Sequence, residues 1–131
     1  TQAWASVPQT VLIKKDTADL DLQIKYPKGF ANKNIDQIVQ NLIKSLQNDD
    51  TPKAENLPAD VPGKSSLYID YKIKFQNPNA LSLLFFTSAY TRGAAHPANN
   101  VHSLNFLNNQ VVSLDQLFNP DSQYLIELAK L

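Results

Sequence analysis

His96 lies in Gly93-Ala94-Ala95-His96-Pro97, a run of small residues where backbone can approach a ligand closely. An imidazole there could bind a metal or act as a general base. The commoner use of a lone loop histidine is structural, a hydrogen bond that fixes the turn before Pro97, and a base without an orienting partner gives weak support for catalysis. His102 follows six residues later in a strand-like stretch, but His-x5-His is no established metal spacing. Zinc takes three or four ligands, and the chain has no cysteine to supply them. The sequence therefore points to no metal, no cofactor and no catalytic residue. Arg92 is the only arginine and stands beside Tyr90 and Thr91, a set able to grip a carboxylate or a sugar-like polar group. Its plainer reading is a surface arginine at a strand end. The candidate binding set is thus Tyr90, Thr91, Arg92, Gly93, Ala94, Ala95 and His96.

Other constellations fail sooner. Asp19 and Asp21 share the wet face of a strand, where neighbouring carboxylates are usually solvated, and a glycosidase pair needs a cleft around it. Asp49, Asp50 and Asp60 fall in or beside a proline-rich loop and read as solubilising. Ser65, Ser66, Ser82 and Ser88 lack a G-x-S-x-G setting, and no phosphate loop, dinucleotide fingerprint or EF-hand is present. Trp4 reads as an anchor that pins the N-terminal arm, with a binding aromatic as the alternative.

The elements that must hold these residues are legible from hydrophobic period. Thr10 to Ile13 is a short strand candidate. Leu20, Leu22, Ile24 and Tyr26 alternate with polar residues until Pro27 and Gly29. Ile35, Ile38, Val39, Leu42, Ile43 and Leu46 fall at helical spacing over 34–47, with Asn32 or Asn34 as cap. A loop with Pro52, Pro58 and Pro62 follows, longer than is usual in a compact domain. Leu67 to Phe75 alternates again, Asn77-Pro78-Asn79 makes a turn, and Leu81 to Tyr90 is apolar on both faces, which predicts a central strand with the helix on one side. Asn99 to Leu107 is a strand, Asn108-Asn109 a turn, and Ser113 to Phe118 a short helix with a Ser113–Gln116 capping box. A last helix, capped by Asp121 or Ser122, carries Tyr124, Leu125, Leu128 and Leu131 on one face.

At 131 residues the chain is long enough for one core without disulfides or metals. Twelve basic residues balance twelve acidic ones, so no long-range field draws nucleic acid or anionic lipid. No apolar run approaches the ~20 residues of a membrane span. The chain begins at Thr1 without methionine, which reads as a processed or trimmed product whose signal sequence or lipid anchor would lie upstream.

The Gly93-Ala94-Ala95-His96-Pro97 loop, the Asn105-Phe106 strand end, the Leu114-Asp115-Gln116-Leu117-Phe118 element and the Asn119-Pro120-Asp121 step together resemble the extracytoplasmic domain of the RsiV/PdaC type, a domain of unknown function found in bacterial envelope proteins. Lysozyme-sensing anti-sigma factors and peptidoglycan deacetylases carry it. Tyr90 to Leu125 is the specific part. Two departures are Arg92, where a small residue is common, and Ala98 after Pro97. The resemblance implies a periplasmic or extracytoplasmic recognition domain without catalysis, whose partner is a cell-wall glycan or a wall-acting protein. It also implies further strands after the last helix, so residues 1–131 read as a single domain cut short, open to self-association or to a partner segment that completes it. The alternatives are a hydrolase using His96 with a distant carboxylate, and a structural or assembly module. The expected fold is α+β: an antiparallel sheet around 66–76, 80–90 and 99–107, the amphipathic helix on one face and short C-terminal helices.

Overall fold

The structure, a computed structural model, describes residues 7–53 and 60–112. Six strands and one helix follow in the order β1 (Gln9–Asp16), β2 (Leu20–Lys28), α1 (Lys33–Asp50), β3 (Ser65–Gln76), β4 (Ala80–Tyr90), β5 (Ala98–Leu107) and β6 (Gln110–Val112). The strands form one sheet in chain order.

The sheet is mixed, which corrects the expectation of an α+β fold on an antiparallel sheet. β2 and β3 run parallel, Leu22 beside Leu67 and Ile24 beside Ile69, while every other pair is antiparallel. The reason is the crossover. An 18-residue helix is about 27 Å long, roughly the length of the nine-residue β2. It returns the chain to the end where β2 began, so β3 starts at Ser65 beside Leu20. Alternation of apolar and polar residues reports which face a side chain takes, not strand direction. The short helices expected after Val112 lie outside the described residues, as do Trp4 and the apolar face Tyr124 to Leu131; α1 is the one helix among the described residues.

α1 lays Ile35, Val39, Ile43 and Leu46 on the sheet against Leu22, Ile24, Leu67, Ile69, Leu83 and Phe85. Asn32 is its N-cap, its side chain accepting from the Asn34 amide at 2.8 Å. Turns are set by asparagine: Asn77 accepts from the amides of Asn79 and Ala80, and Asn108 and Asn109 both take positive φ in the β5–β6 hairpin. Pro27 does not end β2. It pairs with Thr10 beyond the last β2–β3 pair, where its missing N–H costs the β3 ladder nothing. No helix among the described residues is long and apolar enough to cross a membrane.

Candidate functional site

The loop after β4 is held by its own contacts. The Tyr90 hydroxyl donates to the Ala94 carbonyl at 3.1 Å, and the Ala94 amide donates to the Thr91 carbonyl at 2.9 Å. The Arg92 amide donates to Ser65 Oγ at 3.0 Å, and the Arg92 guanidinium pairs with Asp19 at 3.6 Å. That side chain is 13% exposed, and its Nε is buried without a hydrogen-bond partner among the described residues. Arg92 therefore spends its charge on the β1–β2 hairpin, tying the loop to it. His96 is exposed, with Nδ1 3.1 Å from the Pro97 carbonyl. His102 pairs across from Phe85 on the helix-facing side of β5, its Nε2 buried and unpartnered among the described residues. The two histidines do not share a site. No group of three or more His, Asp or Glu gathers among the described residues to hold a metal.

Gly93 takes φ +87°, and a Cβ there would meet Val61 Cγ1 at 2.9 Å. Its lack of a side chain leaves room for the Val61 side chain. Gly93→Ala is expected to lower stability by about 1–2 kcal/mol through backbone strain and displacement of Val61. Equal urea midpoints for variant and wild type would show that the loop yields freely.

A second surface lies on the face of the sheet opposite α1. Two cross-strand rows stand there: Gln23, Tyr68, Ser88 and Asn99, and beside them Asp70, Phe86 and Val101. Together with Lys25 they line a depression of about 590 Å³. Tyr68 is 42% exposed, Phe86 40% and Val101 61%. The Tyr68 hydroxyl donates to Asp21 at 2.7 Å, and this bond, ahead of burial, pushes the phenol above its ordinary pKa and keeps it protonated. At the same end Lys64 pairs with Asp16, which holds that carboxyl below its usual range. Of the candidate binding residues, Tyr90 continues this face by strand alternation, but none of Tyr90 to His96 lines the depression. A second depression of about 550 Å³, between Phe30–Asn32 and Gln76–Leu81, is walled by cap and turn residues already bonded to backbone.

The family model for deacetylase PdaC matches residues 13–99, from within β1 to the start of β5. The chain belongs to the PdaC family. This matched stretch overlaps the segment Tyr90 to Leu125, where the resemblance is most specific in sequence, only as far as Asn99. Two solved structures share the architecture of this PdaC-family chain. A DUF3298 family protein from Pseudomonas aeruginosa PAO1 has 18% identity and a TM-score of 0.59, over 92% of this chain and 59% of its own. A DUF3298 family member from Bacteroides fragilis NCTC 9343 has 16% identity and a TM-score of 0.55, over 91% of this chain and 63% of its own. At these identities the likeness is one of fold. This chain spans about six tenths of the length of both proteins. No curated protein matches at a significant level.

The aromatic face of this PdaC-family chain escapes a reading of the sequence because Phe86 sits among Leu83, Leu84 and Phe85, and a run apolar on both sides looks buried throughout. The available signal is the partner strand: Tyr68 and Asp70 are polar-faced residues, and Phe86 stands opposite Asp70.

Proposed function

We propose that this domain is a non-catalytic recognition module of the bacterial cell envelope, acting outside the cytoplasm, whose partner is a peptidoglycan-related glycan or a protein that acts on it. The observation that carries this reading is the open sheet face, where the exposed rings of Tyr68 and Phe86 stand on adjacent strands with Gln23, Ser88 and Asn99 in the Tyr68 row. Family membership supports the envelope setting. The Tyr90 to His96 loop borders the same end of the sheet, with His96 free to contact a ligand that overruns the face.

A second reading, favoured by the word deacetylase in the family's name, is an enzyme that uses His96. The two separate in one experiment. The chain is expected to co-sediment with purified insoluble peptidoglycan, or to be captured by a lysozyme-type muramidase, while releasing no acetate from N-acetylated wall fragments. Acetate release that disappears in His96→Ala would overturn the non-catalytic reading. Failure to bind both the wall and the muramidase would overturn recognition.

A further inference from the structure

We propose that the open face of the sheet is where two copies of this chain pair, face to face and two-fold symmetric, with Lys25 of each copy over Asp70 of the other. The inference goes beyond the recognition reading and does not rest on it.

The row of side chains that crosses the depression selects this occupant. Leu12 stands opposite Lys25, Asp70 opposite Phe86 and Phe86 opposite Val101, and Lys25 and Asp70 are the next residues along from the paired Ile24 and Ile69. Across five strands the order is therefore Leu12, Lys25, Asp70, Phe86, Val101. Its apolar ends are exposed, Leu12 by 53% and Val101 by 61%. Its two charges stand on neighbouring strands, yet neither Lys25 nor Asp70 enters an ion pair among the described residues.

A two-fold axis in the plane of the interface, parallel to the strands and midway between β2 and β3, exchanges β2 with β3 and β1 with β4. It lays the row on its own reverse. Leu12 then meets Phe86 of the second copy and Lys25 meets its Asp70, so that apolar falls on apolar and cation on anion, each twice. In the next row Gln23, which stands beside Tyr68 in one copy, meets Tyr68 of the other. Moving the axis onto β3 would set Asp70 on Asp70 and Lys25 on Phe86, so the charges fix one register. A polyanion or polycation finds no net charge in this row to attract it. Twisted sheets pack in this aligned way in β-sandwiches.

Area sets the strength of the pair. Five strands ~4.8 Å apart and about six residues along each give a face about 24 by 20 Å, on the order of 500 Å². That falls short of the ~800 Å² per partner of a standard interface and near the ~600 Å² that bounds the weak, transient class. The pair is thus reversible, with a dissociation constant on the order of 100 µM. In dilute solution the face stays open, and where the chain is concentrated a wall partner on this face has to displace the second copy.

Sedimentation velocity from about 5 µM to about 500 µM tests the pairing. A shift from monomer to dimer, and no further, is expected. Lys25→Asp alone and Asp70→Lys alone each set like charges across the interface and should weaken the dimer about tenfold, both proteins remaining folded. Mixed in equal amounts, the two variants should recover a dimer of wild-type strength, because each offers the other an opposite charge at both contacts. Leu12→Ala, which leaves the charges in place, should weaken the dimer as well. A monomer throughout the range, growth past the dimer, or reversed charges whose mixture does not recover the pair overturns the inference. Co-sedimentation with peptidoglycan at about 5 µM, where the chain is monomeric, reads recognition separately. Wall binding by a chain that never dimerises strikes this inference and leaves recognition standing. A charge-dependent dimer that ignores both the wall and the muramidase supports the inference and strikes recognition.

Discussion

Phe85→Ala is expected to cost about 3–5 kcal/mol of unfolding free energy, the range for deleting a buried phenylalanine and leaving its cavity. Phe85 has no exposed surface and lies in the cluster shared by β2, β3, β4, β5 and α1. Its ring centroid is 6.4 Å from that of Tyr71, tilted by 37°. A domain of this size is stable by about 5–15 kcal/mol, so the loss is a large share of the total. Phe86, the next residue, points to the opposite face and is 40% exposed. Phe86→Ala should therefore stay within about 0.5 kcal/mol of wild type. The contrast between neighbours is read by urea unfolding, where the midpoint should fall for Phe85→Ala with little change in slope. Similar losses at the two positions would mean that both faces of β4 are covered and that the open surface is closed in solution.

The same alternation explains how much of the fold was legible. Side-chain period locates β2, α1, β3 and β4 within a few residues, and asparagine marks the turns at Asn77–Asn79 and Asn108–Asn109, because burial and positive φ both leave local signatures. Strand direction leaves none. Parallel pairing of β2 with β3 depends on α1 returning the chain to its starting end, a property of length and packing that no single residue encodes. The three-residue β6 is too short to show a period at all.

The candidate site was legible only as composition. Gly93-Ala94-Ala95-His96-Pro97 suggests a loop whose backbone can approach a ligand closely, and the geometry gives Gly93 a neighbour in Val61 and Arg92 a carboxylate in Asp19. A small-residue loop reads the same in sequence whether the space is kept for a ligand or for another part of the chain. Asp21 is similar: on the sequence it is one more solvated carboxylate, and in the fold it holds the Tyr68 ring across 47 residues of chain.

Asp36 is the residue least visible beforehand and, after the core aromatics, among the most consequential. It lies in the first turn of α1, where a carboxylate suits the helix dipole, which is all the sequence would assign it. The fold buries it to 6% exposure. Its Oδ1 accepts from the amides of Gly29 at 3.0 Å and Phe30 at 3.1 Å, the residues that carry the chain from β2 over to the helix. Lys33, at 3.9 Å and almost fully exposed, adds little to an ion pair that solvent screens. The two charged hydrogen bonds are the larger effect, because removing the acceptor leaves the buried Phe30 amide without it. Asp36→Ala is expected to cost about 2–4 kcal/mol. Asp36→Asn, which keeps a neutral acceptor in the same place, should lose less than half of that. Amide exchange supplies the local readout: Phe30 N–H should lose protection in Asp36→Ala more than amides of the β3–β4 hairpin do. Equal stability of all three proteins would mean that the β2–α1 corner is fixed by packing of Phe30 and Ile35 alone, and that the carboxylate is incidental to the crossover that makes the sheet mixed.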